Sequence, residues 1–184
     1  MPDTAVIPVL TRKMRSMFAL LDADRDGFLC ADDLTAVADR MDAVFPGQAA
    51  RIGTLRSTLH ELWQDHLAPT VAGAGRLDVE AFELGIRRSV SVSPVTLLET
   101  LHEGACAWLS LCDTDGNGLI DLEEYQRLNQ AIGGLPAQQM EESFRRLDRD
   151  GDGTLDPAEI DAAVVEFFTS EDPEAPGNWL YGPF

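Results

Sequence analysis

The segment Asp148-Arg149-Asp150-Gly151-Asp152-Gly153-Thr154-Leu155-Asp156-Pro157-Ala158-Glu159 carries acids at its first, third, fifth and twelfth places and glycine at its sixth. Carboxylates spaced this way repel one another unless a cation sits among them, so the segment reads as a loop closed around a hard cation. Calcium takes six to eight oxygens in a flexible shell. Asp148, Asp150 and Asp152 supply three side chains, Thr154 turns a backbone carbonyl inward, and Glu159 reaches with both oxygens of its longer arm. Gly153 allows the sharp bend at position 6. Leu155, at position 8, is apolar and is expected to face a core.

The pattern recurs. From Asp113 to Glu124 the ligand set is Asp113, Asp115, Asn117, the Leu119 carbonyl and Glu124, with Asp121 at position 9 able to act through a water. A third loop offers Asp22, Asp24, Asp26, the Phe28 carbonyl and Asp33. It departs from the others twice. Asp33 is one methylene shorter than Glu, which compromises bidentate reach. Cys30 holds position 9, and soft sulfur is a poor partner for calcium. A tighter, six-coordinate shell there suits Mg2+, so calcium is the main expectation and Mg2+ the alternative.

A fourth repeat keeps the frame and loses the ligands. Gly75, Leu77 and Phe82 hold positions 6, 8 and 13, but Thr70, Ala72, Ala74 and Ala81 stand at 1, 3, 5 and 12. No metal is expected there. Apolar residues flank each loop at helical spacing: Leu10, Met14, Met17, Phe18 and Leu21 before the first, Ile52, Leu55, Leu59, Leu62 and Trp63 before the degenerate one. Leu101, Ala105, Trp108 and Leu109 precede the third, and Met140, Phe144 and Leu147 the last. Helix–loop–helix units of this kind are EF-hands. They work in pairs because one helix pair cannot bury its own apolar face. The predicted fold is therefore all-α, four EF-hand units in two pairs. Leu29 is expected to meet Leu77, and Ile120 to meet Leu155, across short antiparallel ribbons. Breakers at Phe45-Pro46-Gly47, Ser93-Pro94 and Gly133-Gly134-Leu135-Pro136 separate the units. Residues 1–92 form the first pair, 93–170 the second, and 171–184 an apolar tail. The first pair is expected to have the longer internal connection, from about Met41 to Ala50.

The formal charge of −18 disfavours nucleic acid and anionic membranes as partners. Three cysteines, Cys30, Cys106 and Cys112, suit a reducing compartment and lack the paired spacing of a cysteine zinc site. The basic residues Arg12, Lys13 and Arg15 follow rather than precede the short apolar run at Ala5 to Leu10, so a signal peptide is not expected. A cytoplasmic monomer without a membrane span follows from these readings. His60, His66 and His102 are scattered, and no nucleophile or phosphate-loop motif occurs, so catalysis is not expected.

Three intact loops with the second lost resemble the sarcoplasmic calcium-binding proteins, above all their bacterial calerythrin-type members. The tail Ser170 to Gly182, with its Pro173, Pro176, Gly177, Asn178 and Trp179, is similar to the tail of that group. The resemblance implies a compact four-EF-hand protein that buffers or transports calcium inside the cell. A calcium sensor would need a Met-rich groove for a target helix. Beyond the first residue this chain has only Met14, Met17, Met41 and Met140. Trp179, Leu180, Tyr181 and Phe184 are expected to fold back over the space a target would use. A third possibility is carriage of a small apolar ligand, as in luciferin-binding proteins and photoproteins. Trp63, Trp108, Trp179 and Tyr125 would then line a cavity.

Overall fold

The computed structural model describes residues 7–70, 75–92, 94–132 and 135–184. Ala72 and Ala74 of the degenerate loop, and the breakers Ser93, Gly133 and Gly134, lie outside the described residues. The chain runs through α1 (Val9–Leu21), α2 (Ala31–Val44), α3 (Ala49–Glu61), α4 (Val79–Val92), α5 (Pro94–Ser110), α6 (Leu122–Ile132), α7 (Ala137–Leu147) and α8 (Pro157–Thr169). Strands β1 (Ile120–Asp121) and β2 (Thr154–Leu155) are two residues each.

Each intact loop joins one helix to the next, and the apolar residue at loop position 8 ties the loops in pairs. Leu29 and Leu77 exchange backbone hydrogen bonds of 2.7 and 2.8 Å, and Ile120 pairs with Leu155 in antiparallel register. All four side chains are buried. The degenerate loop has therefore kept the contact that makes it a partner.

The expected helix faces pack inward, with two differences. Leu10 is only half-buried, while Thr11 and Lys13 of α1 are enclosed. The connection inside the first pair is also shorter than expected. Helix α2 continues to Val44 and α3 begins at Ala49, leaving residues 45–48. Helix propensity carries α2 past Met41, and it stops only where Phe45 and Pro46 follow. Helix α3 widens at its end into a π-helical turn over Leu62–Leu67, so that the adjacent pairs Leu62–Trp63 and His66–Leu67 both turn inward. One continuous cluster of buried side chains runs from Met14 to Leu180, and α3 packs on α5, joining the first pair to the second.

The tail is docked. Residues Pro176–Trp179 form a short 3-10 turn against α7 and α8, and Asn178 and Leu180 are buried. Gly177 lies so close to α8 that a Cβ would come within 2.5 Å of the Ala163 carbonyl oxygen. Tyr181 is wedged edge-on between Phe167, centroids 5.0 Å apart, and Trp108 at 6.5 Å. Trp179 is half-buried at the rim, beneath the Arg146 guanidinium at 4.5 Å. The deep anchor is the buried Lys13, whose Nζ donates to the Asn178 Oδ1 at 2.9 Å, the Ser170 carbonyl at 2.7 Å and the Glu166 carbonyl at 2.9 Å. Burial pushes its pKa down to about 8, against the pull of Glu171 and Glu166.

Candidate metal centres

The three intact loops repeat one wiring scheme. The position-1 carboxylate accepts from the position-6 glycine: Gly27 N–H to Asp22 at 3.0 Å, Gly118 N–H to Asp113 at 3.2 Å, Gly153 N–H to Asp148 at 3.0 Å. Position 3 accepts from the position-5 N–H and position 5 from the position-7 N–H, as in Asp24 to Asp26 to Phe28. The position-12 carboxylate is held between two backbone N–H groups at positions 2 and 9. Glu124 accepts from Thr114 and Asp121, Glu159 from Arg149 and Asp156, and the shorter Asp33 from Ala23 and Cys30. These bonds fix the carboxylates side by side, so like charges stand together in each loop, an arrangement that suits a cation among them.

The carboxylates converge in three groups: Asp22, Asp24 and Asp33; Asp113, Asp115 and Glu124; Asp148, Asp150 and Glu159. In each group one oxygen per residue lies within 4.8 Å of the others. Asp22, Asp33, Asp113, Glu124 and Glu159 are buried. The Asp22 Oδ1 is enclosed with no hydrogen-bond partner among the described residues. A buried anionic oxygen costs stability unless something satisfies it, and a cation in the loop is the group this donor set fits. The remaining oxygens assigned to the shells, on Asp26, Asn117 and Asp152 and the carbonyls of Phe28, Leu119 and Thr154, stand on the same loops at positions 5 and 7.

Two features of the loops were not read from the sequence. Position 4 has positive φ throughout, at 61° in Arg25, 77° in Gly116 and 75° in Gly151, so loop 1 places a long side chain where the others use glycine. Position 9 is a helix N-cap: Asp121 accepts from Glu124 N–H and Asp156 from Glu159 N–H, both at 2.9 Å. In the degenerate loop Asp78 does the same for Ala81 at 2.8 Å, while Thr70 turns its hydroxyl to the Leu67 carbonyl. Cys30 is the weaker cap in loop 1.

Side chains from elsewhere brace the loops. Arg51 of α3 donates to the carbonyls of Ser110 and Asp113 at 2.6 and 2.7 Å and stands 3.7 Å from Asp113 Oδ2. Arg149, at position 2 of the last loop, pairs with Glu166 at 2.9 Å, and Glu166 accepts from Gly177 N–H of the tail at 2.8 Å. Of the scattered histidines, His60 is exposed and His66 is buried. His102 joins Cys106 and Asp161 on the seam of α5 and α8.

The family described as EF hand matches residues 14–38, 107–129 and 140–165, segments that contain the three carboxylate groups. The chain thus carries three EF-hand units. The degenerate repeat falls outside the matched segments. Among similar proteins, obelin from Obelia longissima is 36% identical over 83 residues, covering 45% of this chain and 42% of obelin. The match thus spans under half of that relative. A solved calcium-binding protein of Streptomyces coelicolor, described in connection with calcium-mediated regulation, is 28% identical with a TM-score of 0.69, over 87% of this EF-hand chain and 98% of that one. The coelenterazine-binding protein of Renilla muelleri, calcium-loaded and without its ligand, matches at 22% identity and TM-score 0.69, over 95% and 96% of the two chains. At that identity the likeness concerns the fold. The chain is calcium-binding, and the similarity to a bacterial calcium-binding protein is consistent with the calerythrin-type resemblance.

Proposed function

We propose that this EF-hand protein is a non-enzymatic, monomeric calcium buffer of the cytoplasm. It takes three ions, at the loops beginning with Asp22, Asp113 and Asp148. The first site is the weakest and the one open to Mg2+. The observation that carries the buffer reading is the docked tail: Tyr181, Leu180 and Asn178 fill the seam beside α8 that a target helix would need, and Lys13 locks them there. No helix among the described residues is long and apolar enough to cross a membrane. The test is the fluorescence of a hydrophobic dye such as ANS during a calcium titration. A buffer keeps dye binding flat or lowers it as the ions bind. A rise with calcium means a groove opens, and the sensor reading, which the regulatory bacterial relative favours, replaces it.

Ligand carriage has one observation in its favour. An apolar cavity between α1, α3 and α5 is lined by Trp108 and Tyr181, and the buried Trp108 Nε1 has no hydrogen-bond partner among the described residues. Its volume of about 40 Å³ accommodates a water, not a chromophore, since drug-sized ligands occupy pockets of roughly 300 Å³ or more. An absorption spectrum of the purified protein separates the two readings.

A further inference from the structure

We infer that His102, Cys106 and Asp161 form a transition-metal site, separate from the calcium loops, that takes zinc-type cations and staples α5 to α8. His102 and Cys106 stand four residues apart on one face of α5, the spacing that puts two side chains over each other. Asp161 comes from the facing turn of α8. One nitrogen, one sulfur and one oxygen lie within 4.8 Å of one another.

Hydrogen bonding accounts for the His102–Asp161 pair but not for the sulfur that closes on the same ring nitrogen. His102 Nε2 contacts Asp161 Oδ1 and Cys106 Sγ at once, the latter at 3.5 Å. A ring nitrogen has at most one proton to give, and it cannot serve both partners well. A metal serves all three. With zinc bonds of roughly 2.3 Å to sulfur and 2.0–2.1 Å to nitrogen, the sulfur–nitrogen edge of a tetrahedron is about 3.6 Å, close to the separation already present. The nitrogen–oxygen edge must open to about 3.3 Å. His102 and Asp161 are roughly half exposed, at 42% and 57% of their side chains, so they have room to rotate and leave the site an entry path.

The donor set also sorts the cation. Calcium is served by oxygens alone, whereas a nitrogen–sulfur–oxygen triad selects zinc-class metals. Three protein ligands leave the fourth position to water. On binding, the thiol proton passes to solvent as the zinc–sulfur bond forms, with no redox change. The site is independent of the buffer reading. It joins the entering helix of one calcium unit to the exiting helix of the next, beside the wedge made by Tyr181.

The test is titration of the calcium-saturated protein with Co2+ and then Zn2+, followed by optical absorption. Saturating calcium keeps the loops filled. One Co2+ per chain is expected, with a thiolate-to-cobalt charge-transfer band and tetrahedral d–d bands, all bleached by Zn2+. Cys106→Ser should abolish the charge-transfer band, and Cys106→Ser and Asp161→Asn should each weaken binding by at least the roughly 10- to 100-fold that loss of even an outer-shell partner costs. His60→Ala, at an exposed histidine outside the loops and the triad, should leave the spectrum unchanged. His102→Ala provides a second ligand deletion, with circular dichroism checking that each variant stays helical. Absence of the band in the unmodified protein, or its survival in Cys106→Ser, overturns the site.

Discussion

At the scale of single residues, loop 1 differs from its two intact siblings at three places, and each has its own physical consequence. Arg25 holds a left-handed conformation that the other loops give to glycine. Relieving it is worth about 1–2 kcal/mol, so Arg25→Gly should raise calcium-loaded stability by that order in urea denaturation. Cys30→Asp restores the N-cap of α2 and should add about 1 kcal/mol in the same measurement. Asp33→Glu should tighten calcium at the first site, whereas Glu124→Gln and Glu159→Gln should each delete one tight site from a calcium titration. If Asp33→Glu leaves the affinity unchanged, arm length is not what weakens this loop. The convergence of three carboxylates in each intact loop was legible because a loop is local: all twelve places lie within one stretch of chain. The position-4 conformation and the N-cap role of position 9 are not written in the ligand spacing, because both belong to the backbone, which the pattern of side-chain oxygens does not specify. Asp78 shows the distinction, since it survives as a cap in a loop that has lost its ligands.

At the scale of elements, helices and pairings followed from apolar periodicity and the position-8 residues, while the tail anchor did not. Lys13 and Asn178 are 165 residues apart, and no local pattern marks a lysine on α1 as a buried partner of an asparagine in the tail. The same holds for His102 and Asp161, separated by 59 residues. Lys13→Met keeps much of the volume but takes the donor from the buried Asn178 Oδ1 and from the part-buried Ser170 carbonyl, while the Glu166 carbonyl keeps the Ser170 N–H. It should cost at least about 2–3 kcal/mol and make the tail accessible to limited proteolysis. Lys13 also fixes the sign of a pH effect. Its folded pKa lies near 8 and its ordinary value is 10.5. Between these the unfolded chain holds the extra proton, so stability contributed by this group rises with pH from about 8 to 10.5, and the burden of burying the charge is fully felt below 8. Denaturation of the native protein and of Lys13→Met at pH 7 and pH 10 should show the native protein gaining on the variant at the higher pH.

At the scale of the whole molecule, calcium and folding are one equilibrium. The native chain carries a formal charge of −18 and holds carboxylates together by backbone hydrogen bonds in three loops. Three divalent ions add six positive charges and leave −12. Each ion that binds only the folded form stabilises it by roughly 4 kcal/mol at a thousandfold excess over Kd. Chelation should therefore lower the thermal midpoint and loosen the helical packing, with near-ultraviolet circular dichroism lost before far-ultraviolet signal. Because Arg51 ties α3 to the Asp113 loop and Arg149–Glu166 ties the last loop to the tail, that loosening should reach Tyr181 and Trp179 as well.

Calorimetric calcium titration of the metal-free protein, run with and without millimolar-range Mg2+, tests the assignment of the loops most directly. It should show three ions per chain, two tighter and one weaker, with Mg2+ competing chiefly for the weak site. A fourth ion would mean that the degenerate repeat between Thr70 and Ala81 binds metal after all, and a total of two would mean that the Asp22 loop does not.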